Sequence, residues 1–98
     1  MTRNRPYRFG VIGCGFWAQV QLHAWAMIDD VELIAVCDVD ESKAQEAAAA
    51  FGIKHFYRNA SEMLVVENLD FVDVVTTPPS HRDLVELAAS QGIDVICQ

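Results

Sequence analysis

Residues 7–27 read YRFGVIGCGFWAQVQLHAWAM, and the fold is decided there. A short apolar run over 7–12 meets Gly13-Cys14-Gly15, after which apolar residues recur at Trp17, Val20, Ala24 and Met27, the spacing of one helix face. Glycine is the residue that loses most freedom on ordering. Two glycines where a strand hands over to a helix mean either a tight turn or a backbone that a bulky anion must approach.

The same alternation continues down the chain. Segments 31–37, 71–76 and 94–97 are short and rich in Val, Ile and Phe, apolar on both alternating faces as strands covered on both sides must be. A weaker strand is expected over 54–57. Helices are expected over 16–28, 42–51, 59–66 and 79–90. The second has Asp40 or Ser42 as its cap and Gly52 just past its end. The third opens on Asn59 with Glu62 three residues on, and the fourth on Ser80 with Asp83, stopping at Gly92. Strand and helix therefore alternate from end to end. That pattern predicts an α/β fold: a doubly wound parallel sheet in three layers, α/β/α, of Rossmann type, with strand order 3-2-1-4-5. Ligands of such sheets bind at the carboxyl ends of the strands where the order reverses. Here that crevice is lined by residues 13–18 (GCGFWA), Asp38 and residues 76–81 (TTPPSH).

Composition bounds the reading. The chain has 98 residues, one domain spanning 1–98, and 52% of them are hydrophobic, which excludes a disordered chain. No apolar run approaches the ~20 residues of a membrane-spanning helix. The basic opening MTRNRPYR is followed by no signal-peptide apolar region and reads as a solvated tail. A net charge of -7 disfavours nucleic acid as a partner. It leaves room for a small anionic ligand, because a helix N-terminus is locally positive. The three cysteines, Cys14, Cys37 and Cys97, stand at strand ends without metal or CxxC spacing, so a reduced, cytoplasmic protein with no metal site is expected.

In Gly13-x-Gly15-x-x-Ala18, the first glycine allows the sharp turn, the second lets a pyrophosphate reach the backbone, and Ala18 keeps helix and strand close. Asp38 ends the second strand twenty residues after Ala18, where a carboxylate accepts the ribose hydroxyls of an adenosine. That carboxylate repels a 2′-phosphate, so NAD is expected as cofactor over NADP. Lys43 reads as a solvated surface residue. Two prolines stiffen the exit of the fourth strand beside the nicotinamide position, with Thr76 or Thr77 offering a hydroxyl and His81 in the first turn of the next helix. His23 reads as a packed histidine, and His55 has no evident partner.

The segments VIGCGFWAQVQLHAW, ELIAVCDVD and DFVDVVTTPPSHRDLVELAASQGIDVICQ together resemble the N-terminal domain of the Gfo/Idh/MocA oxidoreductases, over nearly the whole chain. The resemblance implies an NAD(P)-dependent dehydrogenase acting on a sugar, a polyol or a related compound. By position it places Gly13, Gly15, Phe16 and Trp17 along the pyrophosphate, Asp38 on the adenine ribose, and Thr77, Pro78 and His81 near the nicotinamide half. In the family a Glu-Lys-Pro segment follows the fifth strand, and its lysine assists proton transfer; Gln98 stands where the Glu is usual, and the lysine is absent. A second domain supplies the substrate contacts, a catalytic histidine and the homo-oligomer interface. No catalytic residue is therefore expected in these 98 residues, and the isolated chain is expected to bind NAD and reduce none of it. Two other readings stand beside it: a non-catalytic NAD(H) sensor, which only the sequence after Gln98 would separate from the enzyme, and an S-adenosylmethionine-dependent methyltransferase, which also uses a glycine turn but which the TTPP exit and the fifth βα repeat fit poorly.

Overall fold

Strand β1, Tyr7–Ile12, is the axis of the molecule. In the computed structural model, which describes residues 6–14, 24–25, 27–75 and 78–97, it pairs in parallel with β2 (Val31–Cys37) on one side and with β4 (Phe71–Val74) on the other. β3 (His55–Tyr57) extends the sheet beyond β2, and β5 (Asp94–Cys97) extends it beyond β4. The order is β3-β2-β1-β4-β5, all parallel, as the alternation predicts. The order reverses at β1. The carboxyl ends of β1 and β4 therefore flank one crevice.

Two apolar clusters, one on each face, make this a three-layer molecule. On one face Phe9, Val11 and Val36 meet Ala44, Ala47 and Ala48 of the Glu41–Ala50 helix. These alanines recur at i, i+3 and i+4, and their small side chains let the helix lie close on the sheet. On the other face Ile12, Ala35, Val72 and Val74 meet Met63 and Leu64 of the Ala60–Val66 helix and Ala88 of the Pro78–Ser90 helix. Gly10 is part of that fit: a Cβ there would stand 3.1 Å from Met63 Cε and 3.3 Å from the Ala35 carbonyl oxygen.

The register slips between Phe9 and Gly10, where Phe9 faces Leu33 but Gly10 faces Ala35. The extra residue, Ile34, packs on the same cluster as its neighbour Ala35, so the bulge sends two consecutive side chains to one face. Asp40 is the cap of the Glu41–Ala50 helix, accepting from the Ser42 N–H at 3.1 Å, and Asn59 caps the next by accepting from the Glu62 N–H at 3.2 Å. Ser80 is not a cap. The last helix begins at Pro78, because proline needs no N–H partner in a first turn and presets its φ. The weak strand is shorter than expected, starting at His55, and the fourth strand ends at Val74, with residues 76 and 77 outside the described part. Of the expected helix over 16–28, only Ala24 and Trp25 are described as helical. Among the described residues no helix is long and apolar enough to cross a membrane.

Candidate functional site

The chain leaves β1 through Gly13, whose φ of 103° is a conformation that L side chains rarely adopt. Its N–H donates to the Cys37 carbonyl at 2.7 Å, so the turn is tied to the last residue of β2. The next N–H, that of Cys14, donates to Asp38 Oδ2 at 2.8 Å. The other carboxylate oxygen, Oδ1, accepts from the Asp40 N–H at 2.8 Å. Asp38 is itself held by its own N–H, which donates to the Tyr57 carbonyl at 3.0 Å. Across the crevice the Val75 N–H donates to the Ile12 carbonyl at 2.8 Å, closing the exit of β4 onto the exit of β1.

These bonds divide the work between two nearby carboxylates. Asp40 caps the helix, and the Ser42 hydroxyl, at 2.7 Å, holds its carboxyl below the usual carboxylate range. Asp38 is released from capping and turned towards the glycine turn. Each of its oxygens receives one backbone N–H, and a carboxylate oxygen has a second lone-pair site. The pair of remaining sites suits a vicinal diol, the chemistry of a ribose. Gly13 and Asp38 are thus brought together, joined through the Cys14 N–H. Lys43 is exposed on the following helix. Gly15, Phe16, Trp17 and Thr77 lie outside the described residues, as does His23. Pro78 and His81 fall in the first turn of the Pro78–Ser90 helix, with their side chains outside the described part.

Cys14 and Cys37 are both buried free thiols beside Asp38, and the Cys14 thiol donates to the Cys37 carbonyl at 3.5 Å. Burial, and then the Asp38 charge, pushes each thiol up from 9.0 to about 12. Between those values the unfolded chain holds fewer protons than the folded one, so stability is present below pH 9.0 and falls as pH rises towards about 12. Urea midpoints measured across that window should decline. Replacing both cysteines by alanine should reduce the slope, and an unchanged slope would refute this assignment.

Two features lie beyond the sequence reading. His55 does have a partner: its Nδ1 is 2.6 Å from Glu67 Oε2, and the Tyr57 hydroxyl donates to the same oxygen. Glu67 is buried just past the Ala60–Val66 helix; desolvation of Tyr57, and then its bond to Glu67, pushes the Tyr57 phenol up to about 12. Asp73, in the middle of β4, is fully buried, and its Oδ2 accepts from Trp25 Nε1 at 2.7 Å. One signal was available: a carboxylate inside an otherwise apolar central strand must find donors, and a packed tryptophan has an N–H to give.

Residues 7–98 match the family model of an oxidoreductase family with an NAD-binding Rossmann fold. The chain is 50% identical over 97 residues to the D-apiose dehydrogenase of Paraburkholderia graminis, covering 99% of this chain and 26% of that protein. In structure it is similar to an oxidoreductase from Agrobacterium radiobacter solved with NAD+, L-tartaric acid and magnesium, with a TM-score of 0.90, 39% identity, and coverage of 94% of this chain and 27% of that one. It is also similar to the WlbA dehydrogenase of Bordetella pertussis solved with NADH and UDP-GlcNAcA, with a TM-score of 0.92, 30% identity, and coverage of 99% and 29%. The chain spans about a quarter of the length of the relatives it matches, 26% of the apiose dehydrogenase.

Proposed function

Because this chain belongs to the Gfo/Idh/MocA oxidoreductase family, with its NAD-binding Rossmann fold, we propose that it is the domain that binds NAD in a dehydrogenase of sugars or polyols. The observation that carries the reading is the bond from Cys14 N–H to Asp38 Oδ2 at 2.8 Å, which sets a carboxylate beside a positive-φ glycine turn at the point of strand reversal. Asp38 accepts the two hydroxyls of the adenine ribose. Gly13 and Gly15, with Phe16 and Trp17, hold the pyrophosphate, and Thr77, Pro78 and His81 border the nicotinamide half. A 2′-phosphate would bring its charge against Asp38, with Asp40 two residues on, so NAD is preferred over NADP.

When bound, NAD would supply hydride transfer at its nicotinamide, and the residues named here would bind and orient it. The substrate is a sugar or polyol oxidised at a CH–OH group, as the name of the D-apiose relative suggests. Its contacts, the proton-transfer group and the homo-oligomer interface belong to a second domain. The relatives described above are named dehydrogenases or oxidoreductases, which favours this reading over a methyltransferase or a non-catalytic sensor. Fluorescence titration of the chain tests it. NADH should bind saturably, NADPH more weakly, and S-adenosylmethionine should not compete. A chain that binds no NADH overturns the proposal.

A further inference from the structure

Asp38 is held at its side chain and at its backbone. Its carboxylate takes the Cys14 and Asp40 N–H groups. Its own N–H donates at 3.0 Å to the carbonyl of Tyr57, the last residue of β3. Tyr57 makes a second bond at its far end, where the hydroxyl donates to Oε2 of the buried Glu67. We propose that Glu67 is a positioning residue for Asp38: by holding the Tyr57 side chain it fixes β3, and the Tyr57 carbonyl then fixes where the Asp38 backbone stands. The inference rests on the NAD-binding reading above, in which Asp38 reads the ribose.

The physical case starts from the weakness of β3. It is three residues long and ends the sheet order, paired with β2 through Ala35, Val36 and Cys37. An edge strand so short opens readily, because few ladder bonds and little burial hold it. Glu67 adds a clamp from one side. His55 and Tyr57 are two residues apart, so their side chains leave the same face of the strand. Both reach Glu67 Oε2, His55 through Nδ1 at 2.6 Å. Phe56, between them, packs on the apolar cluster of the opposite face. Glu67 is anchored in turn, because its N–H donates to the Met63 carbonyl at 2.9 Å and closes the Ala60–Val66 helix. Its charge does nothing for that helix. A carboxylate at a helix C-terminus stands against the dipole, and burial strips its hydration. An apolar residue of similar size would pack as well. The carboxylate supplies an acceptor at a fixed point, and hydrogen bonds to a charged acceptor are short and strong. Burial, and then this bond, pushes the Tyr57 phenol up to about 12, so it remains a donor at neutral pH. Glu67 and Asp38 are thereby linked through the two ends of one residue.

The test uses three variants and reads affinity on folded protein. Tyr57→Phe keeps the ring on its apolar cluster and deletes the donor. Glu67→Leu deletes the acceptor, and Glu67→Gln keeps an oxygen acceptor. Urea titration sets the folded fraction, and titrations with NADH and NADPH give Kd. Tyr57→Phe and Glu67→Leu should each weaken NADH about fivefold, the scale of one hydrogen bond, and together no further than either alone. NADPH should lose less, because its 2′-phosphate is already repelled by Asp38, so the preference for NADH should fall. Glu67→Gln should stay close to wild type. In an Asp38→Ala background, Tyr57→Phe should add nothing to the loss. Hydrogen exchange at the Asp38 amide should quicken in Tyr57→Phe and Glu67→Leu and hold in Glu67→Gln. If Glu67→Leu fails to fold, Tyr57→Phe decides: a folded Tyr57→Phe chain with wild-type Kd for NADH overturns the inference and leaves the NAD-binding reading standing. Equal losses for NADH and NADPH overturn it too, as do losses in stability alone. A wild-type chain that binds no NADH removes the functional reading and this inference with it.

Discussion

Gly13→Val should abolish NADH binding and cost the fold a large share of its stability. At φ 103° a β-branched residue is strained, and Gly13 is buried, so the added methyls also have no solvent to enter. A residue held in so sparse a region costs about 1–3 kcal/mol. Relaxing φ to a negative value would turn the Gly13 and Cys14 amides away from the Cys37 carbonyl and Asp38 Oδ2, at roughly 0.5–1.5 kcal/mol for each bond lost. A domain of this size has on the order of 5–15 kcal/mol in total, so a folded population should remain measurable. Urea unfolding gives the stability loss, and NADH titration of the folded fraction gives the affinity. A folded variant with wild-type affinity would mean that the turn serves only to link strand and helix.

Asp38→Ala should weaken NADH by roughly ten- to a hundredfold, the scale of one or two hydrogen bonds to a charged group. The bonds at Asp38 refine that expectation. Its carboxylate also holds the Cys14 and Asp40 N–H groups, so the variant loosens the glycine turn for any dinucleotide. NADPH should therefore lose some affinity through the turn while gaining from the removal of a repulsive charge. The ratio of the two affinities isolates the ribose contact from the structural one. Equal losses for NADH and NADPH would show that Asp38 supports the turn and does not read the ribose. Asp38→Asn is a stricter probe of the same point: its amide nitrogen would face a backbone N–H that needs an acceptor, so the turn should loosen even though size is conserved.

Much of this architecture was legible in the chain because the signals are local. The strands over 7–12, 31–37 and 94–97 are bounded as their apolar runs predict, since strands covered on both faces leave uninterrupted apolar sequence. Asn59 and Glu62 mark a helix start because a side-chain oxygen reaches an amide three residues on without help from the rest of the fold. The same rule failed at Ser80, where Pro78 had already begun the helix. Gly13 and Asp38 were found as a pair because their spacing is set by one strand-helix-strand unit, although Gly15, Phe16, Trp17 and Thr77 lie outside the described residues.

The partners of the polar side chains were a different matter. Asp38 was expected to await a ribose; the sheet also gives it the Cys14 amide, 24 residues away. His55 looked solitary until the crossover after β3 returned Glu67 to it, 12 residues on. Asp73 and Trp25 stand 48 residues apart and meet because both lie on the same face of the sheet. Sequence alone determined the elements, their order and the glycine–aspartate pair, because backbone sterics, capping and burial periodicity act over a few residues. Tertiary structure decided which donor each buried carboxylate receives, because that depends on strand register and on the Ile34 bulge, which shift whole side-chain rows between faces and are set by packing across the sheet.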